Sequence, residues 1–302
     1  MERAHPQVVT VGHIVYDIRN YVEAFPEPDH TAVMRMHPKA GGGGSAANVA
    51  VNLHKLGISS GLIGSVGSDR HGKFLLSDLK RLGVDSREVK VFRGMSGLSV
   101  IIIDAQGEVR VIEDFGVADR RRAIDPDYIA KAKFLHLSVC ALHLLESASK
   151  IADEAGLPIS FDPGRAASRF GEKKLSAILQ RCDFLIINRK ELFAMTGSRE
   201  EAAASELAKK YNLVCVIKQG SRETIVKTKE ASSFAVEPFH VKPIDTLGAG
   251  DAFCAGFVAG IMEKRSLFDA VRFANAVAAA KVLRKGAQSL PSRSFITEKF
   301  KV

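Results

Sequence analysis

The sequence runs to 302 residues, 46% of them hydrophobic, with 43 Lys and Arg against 34 Asp and Glu for a formal net charge of +9. That is enough apolar material for one α/β domain over residues 1–302, and the lack of any uncharged apolar run of about 18 residues excludes a membrane-spanning helix. The basic residues are dispersed, tryptophan is absent and there are four tyrosines, so the charge suits small phosphorylated ligands and not nucleic acid, which needs stacking platforms.

Met1 to Pro6 carries no apolar signal-peptide core and leads straight into Val8-Val9-Thr10-Val11-Gly12, a buried first strand. Residues 14–22 alternate loosely around Asp17, and 33–40 offer another short strand before Gly41-Gly42-Gly43-Gly44. That glycine run opens a helix. Ala46, Val49, Ala50, Leu53 and Leu56 fall at helical spacing, Asn48 lies near the first turn and Gly57 terminates it. A strand over 58–66 and a helix over 73–82 follow, then a hairpin in which 98–104 and 109–113 flank Ala105-Gln106-Gly107-Glu108. From residue 128, strands at 134–139, 158–162, 184–188 and 213–218 alternate with helices near 144–155, 172–181, 189–196 and 200–211. Such alternation specifies a parallel sheet with right-handed crossovers and helices on both faces. The β-rich stretches 14–40 and 93–115 do not fit it and read as an antiparallel insert. Cys140, Cys182, Cys215 and Cys254 are scattered in apolar contexts, as buried reduced thiols are, and a cytoplasmic location is the expectation.

The most informative segment comes late. Gly248-Ala249-Gly250-Asp251 enters an apolar stretch, 252–262, long enough for a buried helix. A glycine turn opening a helix aims unpaired N–H groups and the positive dipole end at one point, which is an anion site with phosphate as its usual guest. A carboxylate there suits removal of a proton from a hydroxyl about to attack a phosphoryl group. On these residues alone, Asp251 reads equally as an ordinary helix cap.

Taken together, the two glycine clusters resemble the ribokinase family of sugar and nucleoside kinases, the PfkB-type carbohydrate kinases. Three further elements extend the resemblance along the chain: Gly64-Ser65-Val66-Gly67-Ser68-Asp69 with Gly72, Asn188-Arg189-Lys190-Glu191, and Gly286-Ala287-Gln288-Ser289-Leu290-Pro291. The resemblance implies a ribokinase-like three-layer α/β sandwich, with a mostly parallel central sheet and a small β-sheet lid from the inserts at 14–40 and 93–115. It implies transfer of the terminal phosphoryl group of ATP, with ADP as an alternative donor, to a hydroxymethyl group of a sugar or nucleoside. Asp251 would be the general base, and Gly248, Ala249, Gly250 and the amides they precede would form the anion hole.

Other site expectations follow from the same resemblance. Asp17, Gly42, Gly43 and Asn48 would grip sugar hydroxyls, with the glycine register open by one residue. Asn188 and Glu191 would steer Mg²⁺ and phosphates through water, although an Asn-X-X-Glu pair also caps helices. Lys218, Gly220 and Asn275 fall on the nucleotide side. Asp245 and Thr246, with Ala287 and Ser289, resemble a monovalent-cation loop for K⁺. Asp162 follows a strand at its ligand-binding end, and Arg165 after it either pairs with a phosphate on the acceptor or is solvated. Arg120-Arg121-Arg122 reads as a solvated basic turn, and His13, His54, His136 and His143 as structural. A neutral sugar or nucleoside is the favoured acceptor, a phosphorylated sugar such as ribose 1-phosphate the alternative. A homodimer through the lid is a further expectation.

Overall fold

The computed structural model describes residues 5–230 and 232–302; residues 1–4, part of the segment read for a signal peptide, lie outside the described residues. The chain opens on β1 (Val8–Val11), β2 (Val15–Tyr21), β3 (Lys39–Gly43), α1 (Ser45–Lys55), β4 (Ser60–Gly67) and α2 (Arg70–Arg81). Next come β5 (Val89–Phe92), β6 (Gly97–Ile103), β7 (Val109–Asp114), α3 (Pro126–Ala130), β8 (Phe134–Leu137), α4 (Leu142–Glu154) and β9 (Ile159–Phe161). The middle holds α5 (Gly164–Ala167), α6 (Gly171–Leu179), β10 (Phe184–Asn188), α7 (Arg189–Thr196), α8 (Glu201–Tyr211) and β11 (Val214–Lys218). It closes with β12 (Thr224–Lys227), β13 (Ser233–Val236), α9 (Ala249–Met262), α10 (Leu267–Val282) and α11 (Arg293–Phe300).

Among the described residues, the large sheet runs β13-β12-β11-β10-β9-β8-β1-β4-β5. It is parallel except where the hairpin β12–β13 folds antiparallel onto the β11 edge. Its strands are continuous apolar runs because both faces are covered. Val9, Val11, Leu185 and Ile187 point into a core with Leu145, Ile178, Leu192 and Leu207 from α4, α6, α7 and α8. The alternate residues Val8, Phe134, Ile186 and Val216 point the other way, into a core with Leu53, Phe257, Phe273 and Val277 from α1, α9 and α10. The period of two along each strand therefore divides one apolar run between two helical layers. All four cysteines are free and buried, as expected, and no helix among the described residues is long and apolar enough to cross a membrane.

A second sheet, β3-β2-β6-β7, is the lid. Its outer pairs are antiparallel, but its central pair, β2 with β6, is parallel, which corrects the expectation of a purely antiparallel insert. The chain leaves the lid after β3, builds α1, β4, α2 and β5 of the body, and returns to the same side, and a crossover of that length permits parallel pairing. The strand expected over 33–40 lies later, at Lys39–Gly43, so three of the four glycines are ladder residues. Glycine is required there by close approach, since a Cβ on Gly43 would fall 2.1 Å from Asp17 Oδ2.

Candidate active site

The strands β1, β8, β9, β10 and β11 end on one side of the sheet, and the lid roofs the space above them. A cavity of about 860 Å³ lies between, lined by body residues such as His13, Asn48, Asp162 and Asp251 and by lid residues such as Asp17, Ser99 and Glu113. Crevices at the carboxyl ends of parallel strands are where such sheets bind ligands.

Helix α9 starts at this cavity. Gly248 takes a left-handed φ of 75°, and a Cβ on it would sit 2.7 Å from the Cβ of Ala287, so no other residue fits the turn. The Ala249 amide donates to Thr246 O at 3.1 Å and is engaged within the turn, which removes it from the expected anion hole. The amides of Gly250 and Asp251 have no protein acceptor among the described residues. A Cβ on Gly250 would come within 3.6 Å of Lys218 Nζ, so an ammonium stands beside the open helix end. Two amides without a protein acceptor, the helix dipole and this lysine lie together at the start of α9, an arrangement chemically suited to an anion.

Asp251 lines the same cavity and accepts from Asn48 Nδ2 at 2.7 Å. Gln288 Nε2 donates to Asn48 Oδ1 at 3.1 Å and so fixes which way the Asn48 amide faces. Gln288 was legible as a member of the final motif but not as the residue that orients Asn48. Burial pushes the Asp251 carboxyl above the ordinary carboxylate range, the hydrogen bond from Asn48 opposes this, and nearby Asp162 adds to it.

Asp17 lies across the cavity on β2 and is only 4% exposed. Burial pushes its carboxyl up to about 7; Arg19 opposes, and Asp251 and Glu113 reinforce. An acid that binds its proton more tightly folded than unfolded stabilises the fold fully below its unfolded value of 3.8, and that contribution is lost as pH rises toward about 7. Urea denaturation should therefore show the wild type losing more stability than Asp17→Asn over this window, by at most about 1.4 kcal/mol per pH unit. Parallel losses in the two proteins would show that Asp17 does not titrate there.

Gly42 and Gly43 are not among the cavity-lining residues; Gly44 and Ser45 are. A Cβ on Gly42 would face Asp78 and Gln288, whereas Gly44, at φ 93°, is the N-cap of α1. The run of four glycines thus divides between strand and cap, and of the four only Gly44 lines the cavity.

Asp162, after β9, accepts from Lys218 Nζ at 2.6 Å and from Cys254 Sγ at 3.1 Å. Burial would raise its carboxyl, but the lysine beside it outweighs burial and holds it below the ordinary range, while Lys218 itself is held well above the ordinary lysine value. Asp162 is thus engaged by Lys218 and Cys254 within the site wall. Asn188 and Glu191 form a full capping box on α7: Asn188 Oδ1 accepts from the amides of Lys190 and Glu191, and Glu191 Oε2 accepts from the Asn188 amide at 2.8 Å. The cap leaves Asn188 Nδ2 and the other Glu191 oxygen for a ligand, and both residues line the cavity. Burial and Asp162 raise the Glu191 carboxyl. A single carboxylate oxygen facing a water-accessible cavity fits Mg²⁺, which keeps most of its water shell.

Gly220, at φ 66°, and Asn275 line the far end of the cavity. The Asn275 amide is engaged, accepting from Thr224 Oγ1 at 2.8 Å and donating to Val236 O and Glu237 O. It ties β12 and the end of β13 to α10 and supports that wall from behind.

Asp245 is fully buried and does not face the cavity. Its Oδ2 accepts from Tyr21 Oη at 3.0 Å and from the Gly286 amide at 2.8 Å, and its Oδ1 accepts from the Leu247 amide at 2.8 Å. Lys281 Nζ, also fully buried, donates to Asp245 O at 2.8 Å and lies 3.8 Å from Oδ1. A K⁺ ion does not fit this arrangement, because the lysine ammonium already meets the carboxylate and carbonyl. Burial lowers Lys281 to about 8, with Asp245 opposing.

Arg165, on α5, is exposed at the cavity and has no side-chain partner among the described residues. Of the arginines 120–122, read as a solvated turn, Arg120 and Arg122 are exposed but Arg121 is not. Arg121 is 2% exposed and paired with Glu88, Arg120 donates to Arg93 O, and Arg122 contacts His143. His13, expected to be structural, lines the cavity with Nε2 2.7 Å from Asp119 Oδ1.

The model of the pfkB family carbohydrate kinases matches residues 5–293. The chain belongs to that family. It is 35% identical to the ATP-dependent ribose-1-phosphate kinase of Halopiger xanaduensis, over 97% of this chain and 99% of that protein. It is 30% identical to a 5-dehydro-2-deoxygluconokinase of Clostridium perfringens, over 78% and 77% of the two chains. The structure of Arabidopsis thaliana ribokinase complexed with ribose and ATP superposes with a TM-score of 0.85 at 25% identity, covering 99% of this chain and 100% of that one. This family member therefore has the ribokinase-like α/β sandwich with a small sheet lid, and it is a phosphotransferase of the sugar and nucleoside kinase type.

Proposed function

We propose that this kinase transfers the γ-phosphoryl group of ATP to a hydroxymethyl group of a phosphorylated pentose, ribose 1-phosphate being the type, with Asp251 as general base. The reading is carried by one observation. The Asp251 carboxylate, raised by burial, stands at the helix start whose free Gly250 and Asp251 amides and neighbouring Lys218 form the anion site. A hydroxyl held between Asp251 and those amides would lose its proton to Asp251 as its oxygen bonds to the γ-phosphorus. The bond from that phosphorus to the bridging oxygen breaks, and ADP leaves with the electron pair.

Asn48 keeps the Asp251 carboxylate aimed, and Asp17 would accept from a second sugar hydroxyl. Glu191 would hold Mg²⁺ through water, and Asn188 Nδ2 would donate to a nucleotide phosphate; the metal supplies neutralisation of phosphate charge when bound. ATP as donor and ribose 1-phosphate as acceptor are supported by the relative that is 35% identical over nearly the whole chain.

Arg165 would supply the charge that a phosphorylated acceptor needs, since its side chain is exposed at the cavity without a partner among the described residues. Arg165→Ala should weaken acceptor binding by about 10-fold to 100-fold and leave nucleotide affinity alone. A panel of pentoses, nucleosides and pentose 1-phosphates, read by ADP release, tests both points. Preference for neutral acceptors, with Arg165→Ala inert, would overturn the phosphorylated acceptor in favour of a plain sugar or nucleoside.

A further inference from the structure

Two loops meet behind the anion site. Residues 245–248 lead into α9, and residues 286–289 carry Gln288, which orients Asn48. Their junction is Asp245, whose carboxylate holds the Leu247 amide of its own loop and the Gly286 amide of the other. Gly248 packs directly on Ala287, and Ser289 Oγ closes its own turn on Gly286 O at 2.6 Å. Any displacement of Asp245 would therefore move the start of α9, with the Gly250 and Asp251 amides on it.

Among the described residues, the cation paired with this buried carboxylate is a side chain of the protein itself. Lys281 reaches the junction from α10, with Nζ on Asp245 O and near Oδ1. Lysine and aspartate are both fully buried, so the pair is closed to water and an ammonium there offsets the carboxylate directly. A second cation there would have no carboxylate to balance it, and a buried unbalanced ion carries a heavy desolvation penalty.

We infer that the Lys281 ammonium serves as a tethered monovalent cation for the 245–248 loop, which makes the kinase independent of potassium. Lys281 touches no cavity residue's reacting atoms and is a positioning residue, acting through Asp245 on the amides at the start of α9. The inference uses the kinase activity of the family and not the acceptor proposed above.

The test compares the wild type in potassium chloride and in choline chloride at equal ionic strength, reading phosphorylation rate and melting temperature. The expected result is agreement within about twofold in rate, with no potassium-specific rise in melting temperature. Activation of several-fold by potassium, or such a rise, would overturn it. Melting needs neither acceptor nor nucleotide, so an error in the acceptor leaves this readout intact.

Lys281→Ala supplies the complementary arm. In choline chloride it should lose about tenfold or more in kcat with a smaller change in acceptor KM. Potassium or ammonium chloride should then restore kcat and raise the melting temperature, because a free cation can enter the space that the side chain leaves. Turnover of Lys281→Ala at the wild-type level in choline chloride, or a loss that no small cation restores, would overturn the tethered-cation role. If Lys281→Ala fails to fold, the wild-type melting comparison alone decides.

Discussion

Asp251→Asn should retain nucleotide and acceptor binding and lose turnover by about 100-fold or more. The variant keeps a carbonyl oxygen where Asn48 Nδ2 now donates at 2.7 Å, so the local packing has no reason to change. What disappears is the proton acceptor. The amides of Gly250 and Asp251 and the Lys218 ammonium would remain, and these account for residual activity by positioning and charge stabilisation. The wild-type rate should fall on the acid side as Asp251 takes up a proton. Because burial raises that carboxyl, the fall should begin at a higher pH than for a free aspartate, and it should be missing from the residual activity of Asp251→Asn. A well-folded variant that loses less than about tenfold would remove Asp251 from the role of base.

Asn48 and Asp17 became candidates only through the resemblance to the family, since an asparagine in a helix's first turn or an aspartate in an alternating run is not specific by itself. A short-range pattern, the glycine turn before an apolar helix, pointed to Asp251, with a helix cap as its equal reading on those residues alone. The parallel layer was legible for a related reason, since strand–helix alternation leaves few topologies. What could not be read depends on partners far apart in the chain. The β2–β6 pairing is set by where the chain returns after five other elements, which no local pattern encodes. The four glycines look alike in sequence, and only the ladder with β2 separates Gly41 to Gly43 from the cap Gly44.

Lys281 is the instructive omission, because a signal was present. Ala270, Ala274, Val277 and Lys281 fall at i, i+4, i+7 and i+11, on one stripe of α10, and the first three are core. A lysine in the apolar stripe of a buried helix requires a buried acceptor, and Asp245 in the preceding glycine motif was an available one. The Arg121–Glu88 pair had no comparable sign, since the two residues lie 33 apart and meet only in the fold.

Lys218→Met should destabilise the protein by about 3–5 kcal/mol near neutral pH, because it strands a buried carboxylate. Lys218 meets Asp162 at 2.6 Å, with side-chain exposures of 14% and 11%, in a region where Asp162 already acts on both Glu191 and Asp251. Without the ammonium, three largely buried carboxyl groups would act on one another in the wall of the cavity. The sign with pH follows from Asp162, whose folded value lies below its unfolded one while Lys218 is present. That pairing stabilises the wild type above the unfolded aspartate value and is lost as pH falls through the folded one. In Lys218→Met, Asp162 would instead hold its proton more tightly, so the gap between variant and wild type should narrow steadily on acidification. Urea denaturation across that range measures the gap directly, and the double variant Lys218→Met/Asp162→Asn should recover much of the loss at neutral pH by removing the stranded charge. Turnover should not recover with stability, since the ammonium beside Gly250 is still missing from the anion site. A loss of under about 1 kcal/mol at neutral pH, or a gap that stays constant with pH, would mean that water reaches the Asp162–Lys218 pair and that it does not brace the site wall.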